Sequence, residues 1–249
     1  MRKPVMAGNW KMYKTPAETV QFFEKFRPLV EKSEHCEIVI CPSFTNLAAA
    51  VDAAKGTRIR VGAQNIAWAK EGAFTGEVSG PMIVAVGASH AIVGHSERRQ
   101  YFGETDETVL KRTQAALEFG LSPIVCVGER LEDREGGRTE AVLVRQFANG
   151  IAGLTPEQFA RIVIAYEPVW AIGTGKTATK EIAADAHRTI RAQVREKFGN
   201  PAADAVRILY GGSVKPDNTR ALMAQEEIDG VLVGGASLDA ASFASIVNF

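Results

Sequence analysis

The sequence predicts an α/β fold, a closed (β/α)8 barrel of eight parallel strands ringed by helices. Three observations support this prediction. Short apolar runs rich in β-branched residues recur eight times, stretches with helical spacing separate them, and the chain of 249 residues has the usual length of such a barrel. We expect a single domain over residues 1–249, because no linker, repeat or low-complexity tract interrupts the pattern.

The predicted strands are nearly continuous apolar runs, which is typical of parallel strands buried on both faces. They are VMAGNW (5–10), EIVICP (37–42), RIRVGAQN (58–65), HAIVGHS (90–96), SPIVCVG (122–128), RIVIAYEP (161–168), RILYGG (207–212) and DGVLVGG (229–235). An open doubly wound sheet is the structural alternative, and it would place G-x-G-x-x-G after the first strand. The chain has AGNWKMYKT there, which favours the barrel.

Helical spacing is clearest in PAETVQFFEKFRPLVEK (16–32), ETDETVLKRTQAALEFG (104–120) and TKEIAADAHRTIRAQVREKFG (179–199). Thr105 and Thr179 are the predicted N-caps, and Gly120 and Gly199 mark predicted helix ends. The charge-dense segment ERLEDREGGR (129–138) is predicted to be a solvated loop and helix start.

Composition argues against several classes of protein. The 29 basic residues balance the 29 acidic ones, so neither nucleic acid nor an anionic membrane is an expected partner. No apolar run approaches the roughly 18 residues of a membrane helix, and the N-terminus lacks a signal-peptide core. Three cysteines without a CxxC pair (Cys36, Cys41 and Cys126) indicate packed thiols in a reduced, cytoplasmic protein. With four histidines, we expect no His-rich metal site.

Polar residues and glycines stand where the predicted strands end, and barrel enzymes carry their chemistry at this end. They are Asn9, Trp10 and Lys11 after the first strand, His95, Ser96 and Glu97 after the fourth, Glu167 after the sixth, Gly211, Gly212 and Ser213 after the seventh, and Gly234 and Gly235 after the eighth. Each has an ordinary structural interpretation as a surface charge, a core histidine or a turn glycine. Their joint occurrence on one rim predicts a functional site.

This set of residues suits proton abstraction next to a carbonyl group. Glu167 would remove a C–H proton, a neutral His95 would donate a hydrogen bond to the developing oxyanion, and Lys11 would stabilise negative charge. Glycine turns after strands seven and eight would bind a phosphate through peptide N–H groups. Pro168 restricts the backbone of Glu167. The following SERRQYFG predicts a helical turn whose N–H groups keep His95 neutral.

The segment YEPVWAIGTGKTAT (166–179) ends like a nucleotide-binding phosphate loop. The G-x-x-x-x-G-K-[ST] pattern requires glycine at position 170, where the chain has Trp170. A nucleotide-binding protein is therefore one alternative function. A barrel with a structural or partner-binding role is the other, and in it Glu97 would merely pair with Arg98 or Arg99.

Six stretches together resemble the triosephosphate isomerase family, in family order along nearly the whole chain. They are GNWKM (8–12), GAFTGE (72–77), VGHSERR (93–99), YEPVWAIGTGKTAT (166–179), YGGSV (210–214) and LVGGASL (232–238). The resemblance implies a cytoplasmic TIM-barrel enzyme of glycolysis and gluconeogenesis. It would interconvert dihydroxyacetone phosphate and glyceraldehyde 3-phosphate through an enediolate without a cofactor.

The resemblance also implies a role for each site residue. Glu167 is the base, His95 the electrophile and Lys11 the essential cation, with Asn9 beside it and Glu97 as an acidic neighbour. The family's phosphate contacts correspond to Gly173, Ser213, Gly234 and Gly235.

A closing lid and a dimer are implied as well. The lid is Pro168, Val169, Trp170, Ala171, Ile172, Gly173, Thr174, Gly175, Lys176, Thr177 and Ala178, with hinges at 168–170 and 176–178. Closure would exclude water from the enediolate. The long loop 64–80 would enter a second subunit through Gln64, Asn65, Phe74 and Thr75, with Thr75 near Asn9 and Lys11 of the partner subunit. We therefore expect a homodimer whose separate monomers are poorly active.

Overall fold

The structure, a computed structural model, describes residues 2–172 and 178–249. Eight parallel strands close into a barrel in sequence order, with β1 paired to both β2 and β8. The predicted (β/α)8 fold is confirmed. The strands are β1 Val5–Asn9, β2 Glu37–Cys41, β3 Ile59–Ala63, β4 His90–Val93, β5 Ser122–Val127, β6 Val163–Tyr166, β7 Ile208–Tyr210 and β8 Gly230–Val233.

The strands are shorter than their predicted bounds because the polar and glycine residues at the ends of the runs leave the ladder and form the loops. The helices are α1 Pro16–Val30, α2 Leu47–Ala54, α3 Gly80–Ala85, α4 Ser96–Tyr101, α5 Asp106–Glu118, α6 Leu131–Glu135, α7 Thr139–Gly150, α8 Pro156–Phe159, α9 Lys180–Phe198, α10 Asn200–Ala205, α11 Pro216–Met223 and α12 Ala240–Val247. Among the described residues, every helix is too short or too polar to cross a bilayer.

Helix capping follows the predictions. The Thr105 hydroxyl accepts a hydrogen bond from Thr108 N at 3.3 Å, and the Thr179 hydroxyl accepts one from Ile182 N at 3.2 Å. Gly120 and Gly199 follow their helices with φ of 84° and 86°, a backbone conformation that glycine adopts without a steric penalty. Local sequence therefore sets where these helices begin and end.

Apolar side chains form two cores, one on each face of the sheet. Alternate strand residues point into the barrel, among them Val5 and Ala7 on β1 and Val163 and Ala165 on β6. The intervening residues pack against the helices, as Met6 does. Both faces are thus buried, which explains the continuous apolar runs in the sequence.

The same alternation carries polar side chains to the mouth of the barrel. Side chains alternate between the two faces of a strand, so the next inward positions, two residues beyond Ala7 and Ala165, are Asn9 and Glu167. Both are almost completely buried. The strand periodicity that builds the core therefore also aims residues into the site.

Candidate active site

A cavity of about 630 Å³ opens at the carboxyl ends of the strands. The structure brings to it most of the side chains and turns that the sequence singles out. Its lining includes Asn9, Lys11, His95, Glu167, Ile172, Gly211, Gly212, Ser213, Gly234 and Gly235. Strands β1, β4, β6, β7 and β8 thus contribute to one site.

Lys11 is held by its neighbours in an uncommon backbone conformation. Its φ is 52°, in the left-handed region that most residues avoid. Asn9 Oδ1 accepts a hydrogen bond from Lys11 N at 3.1 Å, and Gln64 Nε2 donates one to Lys11 O at 2.8 Å. The Lys11 ammonium forms an ion pair with Glu97 at 2.5 Å. The side chain is therefore fixed at both ends.

Glu97 reaches Lys11 rather than the adjacent arginines. Arg98 and Arg99 pair with Glu104 and Asp106 instead, each at 2.5 Å. The geometry thus differs from the interpretation in which Glu97 pairs with Arg98 or Arg99, because its charge is paired with Lys11, which lines the cavity.

His95 is the N-cap of α4, as the predicted helical turn requires. Its Nδ1 accepts a hydrogen bond from Glu97 N at 3.2 Å, which leaves the ring proton on Nε2. Nε2 lies 2.9 Å from Glu167 Oε1. The imidazole is therefore oriented by the backbone of its own helix and directly contacts the Glu167 carboxylate.

Both carboxylate oxygens of Glu167 are engaged. Oε2 accepts a hydrogen bond from Ser96 N at 2.9 Å, and Oε1 contacts His95. Burial raises the pKa of Glu167, but the charge and hydrogen bond of His95 and the Ser96 amide outweigh burial, so the pKa is below its ordinary value. Glu167 is thus held as a carboxylate.

The pKa of His95 shifts in the opposite direction to the one expected from helix N–H groups alone. Burial lowers the pKa of His95, yet the adjacent Glu167 carboxylate outweighs burial and raises it above the ordinary value. The sequence does not reveal this contact, because it arises only when β4 and β6 both pair with β5 in the barrel.

The opposite wall is formed by the turns after β7 and β8. A side chain at Gly235 would meet open space, whereas a Cβ at Gly234 would lie 3.4 Å from Lys11 Cε. A Cβ at Gly211 would lie 2.9 Å from Glu167 Cγ and would displace the carboxylate. This wall therefore offers exposed backbone close to Lys11.

The start of the predicted lid is ordered by a buried carboxylate. Val169–Ala171 form a 3-10 turn, in which Trp170 Nε1 donates to Glu129 Oε1 at 2.8 Å. Tyr166 Oη donates to the same oxygen at 3.1 Å. The prediction that segment 129–138 is solvated is wrong at Glu129, which is fully buried because these two aromatic donors enclose it. Burial raises the pKa of Glu129.

The rest of the predicted lid is only partly described. Ala178 is buried, and Ile172 lines the cavity beside Glu167. Gly173, Thr174, Gly175, Lys176 and Thr177 lie outside the described residues.

Residues predicted for a dimer interface divide into two groups. Phe74 and Thr75 are exposed, and Phe74 packs edge-on against Trp68. Gln64 and Asn65 have partners within the chain, since Gln64 Nε2 also donates to Cys41 O at 2.9 Å and Asn65 accepts from Arg112 at 3.3 Å. The tip of the loop is therefore the part available to a neighbour.

Comparison with known proteins places the chain in a family. A sequence profile described as triosephosphate isomerase matches residues 4–249. A triosephosphate isomerase of Solibacter usitatus (strain Ellin6076) is 84% identical over 249 residues, covering all of both chains. Those of Citrifermentans bemidjiense and Moorella thermoacetica are 58% and 56% identical, covering all of this chain and 99% of theirs. The chain is an isomerase that belongs to the triosephosphate isomerase family.

Proposed function

We propose that the enzyme interconverts dihydroxyacetone phosphate and glyceraldehyde 3-phosphate through an enediolate. The observation that carries this proposal is the meeting of Glu167, His95 and Lys11 in one cavity beside exposed glycine turns. A carboxylate base, a hydrogen-bond donor and a cation are the groups that proton transfer next to a carbonyl needs.

Glu167 is the proposed base. The hydrogen bonds from Ser96 N and His95 hold its carboxylate charged and occupy both of its oxygens. To reach a substrate C–H bond it must leave these donors, and its backbone, followed by Pro168, confines that movement to the side chain. The charged form is therefore kept ready until a substrate arrives.

His95 is the proposed electrophile. With Nδ1 occupied by the Glu97 peptide N–H, its proton is on Nε2, which faces Glu167 and would donate to a substrate oxygen once Glu167 turns away. When Glu167 turns away, the contact that raises the pKa of His95 is lost, and burial then favours the neutral ring. A neutral donor stabilises an enediolate without protonating it too early, and triosephosphate isomerases are themselves the well-known example of this tuning.

Lys11 supplies the positive charge, supported by Asn9. We propose that Glu97 holds the ammonium in place and that substrate phosphate then competes for it. Ser213, Gly234 and Gly235 would bind the phosphate by hydroxyl and peptide groups, joined by Gly173 when the lid (168–178) closes. Glu129 would hold the first lid hinge through Trp170.

A homodimer is the proposed assembly. Two large apolar side chains of the loop predicted to enter the partner support it, since Trp68 and Phe74 are both exposed in the single chain and pack edge-on against each other. Other exposed apolar side chains include Met12, Tyr13, Met82, Tyr101 and Phe102. In Thr75→Arg the interface would break, so sedimentation should detect monomers and the assay should detect little activity. A fully active monomer at nanomolar concentration contradicts the dimer proposal.

The proposed reaction is tested by a coupled assay with glyceraldehyde 3-phosphate, with and without a phosphate-mimicking inhibitor. Glu167→Gln should lower kcat by about a hundredfold to ten-thousandfold while circular dichroism stays unchanged, because the base is lost. Glu107→Gln, at an exposed residue that pairs with Lys111, is the matched control and should retain full activity. Equal activity in Glu167→Gln and the control would contradict the proposal.

The nucleotide-binding alternative has its own test. Tight, magnesium-dependent ATP binding in equilibrium dialysis would favour that alternative instead.

A further inference from the structure

Gln146 satisfies both polar backbone groups of Gly128, although it belongs to helix α7. Its Oε1 accepts a hydrogen bond from Gly128 N at 2.7 Å, and its Nε2 donates one to Gly128 O at 3.1 Å. The ladder between β5 and β6 ends one residue earlier, at Val127 and Tyr166. The Gln146 amide thus takes the place that a neighbouring strand would occupy.

Gly128 in turn lies directly against the backbone of Glu167. A Cβ at Gly128 would come within 1.7 Å of Glu167 O. Glu167 N donates to Val127 O at 2.8 Å, and Val169 N donates to Glu129 O at 3.1 Å. Residues 127–129 therefore form the support on which residues 167–169 are placed.

We infer that Gln146 is a positioning residue for Glu167, an inference that rests on the proposed role of Glu167 as base. Gln146 is 5% exposed and touches neither the cavity of the reaction nor the phosphate wall. Without its two hydrogen bonds, the Gly128 peptide can tilt and carry the Glu167 backbone with it. A misplacement of about 1 Å can slow proton transfer about a hundredfold. The proposed phosphate site at Gly234 and Gly235 follows β8, which β7 separates from β6 in the barrel, so we expect it to be disturbed less than Glu167.

This arrangement predicts a split between the kinetic constants. Gln146→Met preserves the length and volume of the side chain but removes both hydrogen bonds. We expect kcat to fall by about tenfold to a hundredfold, with KM and inhibition by inorganic phosphate changed by less than about twofold. A purely structural role predicts a lower melting temperature with kcat intact.

A second variant tests the role of Gln146 through the pH dependence of kcat, which a loss of stability alone would not change. In Gln146→Glu, the carboxylate accepts from Gly128 N but cannot donate to Gly128 O. When the new carboxyl group is protonated, it regains a donor. The ratio of kcat in Gln146→Glu to wild-type kcat should therefore rise as the pH falls and the new carboxyl group is protonated. Burial and the carboxylates around the cavity that Gln146 lines raise its pKa, and the arginines there lower it. The carboxylates are Glu104, Asp106, Asp133 and Glu167, and the arginines are Arg99, Arg130 and Arg145.

The matched control is Gln158→Met, which removes a glutamine that accepts from Thr155 N at 3.0 Å in the connection leading into β6. It should lose stability while kcat and its pH dependence stay unchanged. A wild-type kcat in folded Gln146→Met overturns the inference. If Gln146→Met does not fold, a pH-independent kcat ratio for Gln146→Glu overturns it. If Glu167→Gln is inactive in the same assay, these failures concern Gln146 alone; if Glu167→Gln is fully active, the proposed function itself fails.

Discussion

Lys11 combines an unfavourable backbone conformation with a charge in the cavity. Its φ of 52° suits glycine better than lysine, so Lys11→Gly relieves local strain but removes the ammonium. We expect the free energy of unfolding to change by less than about 1 kcal/mol, because strain relief offsets the greater chain entropy of glycine. The coupled assay should show kcat/KM lowered by at least about a hundredfold.

Lys14 provides a matched control for this prediction. It also has a positive φ, of 70°, but its ammonium lies over Trp10 and Phe22. Lys14→Gly should therefore retain most of the activity. Similar activity in the two variants would contradict the role of the Lys11 charge.

At the residue scale, the sequence predicts which side chains meet but not how they are held. Asn9 and Glu167 are foreseeable because both stand where a predicted strand ends, the end at which barrel enzymes carry their chemistry. The contact of Glu167 with Ser96 N is not foreseeable, since it joins residues 71 positions apart. Glu129 and Gln146 have no local sequence signal, because their importance comes only from the partners that the fold brings to them.

At the element scale, closure of the barrel depends on a glycine at the start of β8. Gly230 has φ of 141°, and an added Cβ would lie 2.0 Å from Val5 O on β1. Gly230→Ala should thus force apart the two strands that close the barrel. We expect a loss of at least about 2 kcal/mol in the free energy of unfolding, measured with urea.

Gly150, at the end of α7, serves as the control for this prediction. An added Cβ there would make an ordinary contact at 3.5 Å with Asp106 O. Gly150→Ala should be neutral or stabilise the protein by up to about 1 kcal/mol, since alanine favours a helix. Equal unfolding midpoints for Gly230→Ala and Gly150→Ala would contradict the closure argument.

The elements themselves follow from local sequence to different degrees. All eight strands form within their predicted runs, because apolar continuity marks a strand buried on both faces. Strand ends and short helices such as α10 and α11 are less predictable, since they depend on loops that pack against neighbouring elements. The sequence gives no sign that Gly128 needs a partner from α7.

At the scale of the whole molecule, a polar cluster at the amino end of the barrel makes stability depend on pH. Glu37 contacts His90 at 3.3 Å and Arg207 at 2.6 Å. The hydrogen bond with His90 lowers the pKa of Glu37 from 4.5 to about 2, with Arg207 adding to it against the effect of burial. Because the folded-state pKa is depressed, this stabilisation is present above about pH 4.5 and is lost as the pH falls towards about 2.

Glu37→Gln should therefore be less stable than the wild type at pH 7, by about 2 kcal/mol. The difference should disappear near pH 2, and urea unfolding at several pH values would measure it. Glu196→Gln, an exposed site, is the control and should follow the wild type at every pH. A constant difference between Glu37→Gln and wild type from pH 7 to pH 2 would be inconsistent with this linkage.

The barrel as a whole is the part of the molecule that the sequence predicts best, because length, strand number and helical spacing all agree. The single domain over residues 1–249, the homodimer and the cytoplasmic location stay predictions. Strands and helices leave a regular spacing of apolar residues in the sequence, whereas a subunit interface does not. The sequence therefore indicates the assembly only through the apolar residues of its loops.

The central claim is that Glu167 moves a proton through an enediolate, and isomerisation in D₂O tests it most directly. Glyceraldehyde 3-phosphate is converted by the wild-type enzyme, and NMR measures deuterium on the carbon-bound positions of the dihydroxyacetone phosphate formed. A proton held on a carboxyl group exchanges with solvent, so we predict deuterium in the product and almost no turnover by Glu167→Gln. Product entirely free of deuterium, formed at the same rate by Glu167→Gln, would contradict the claim and indicate direct hydride transfer.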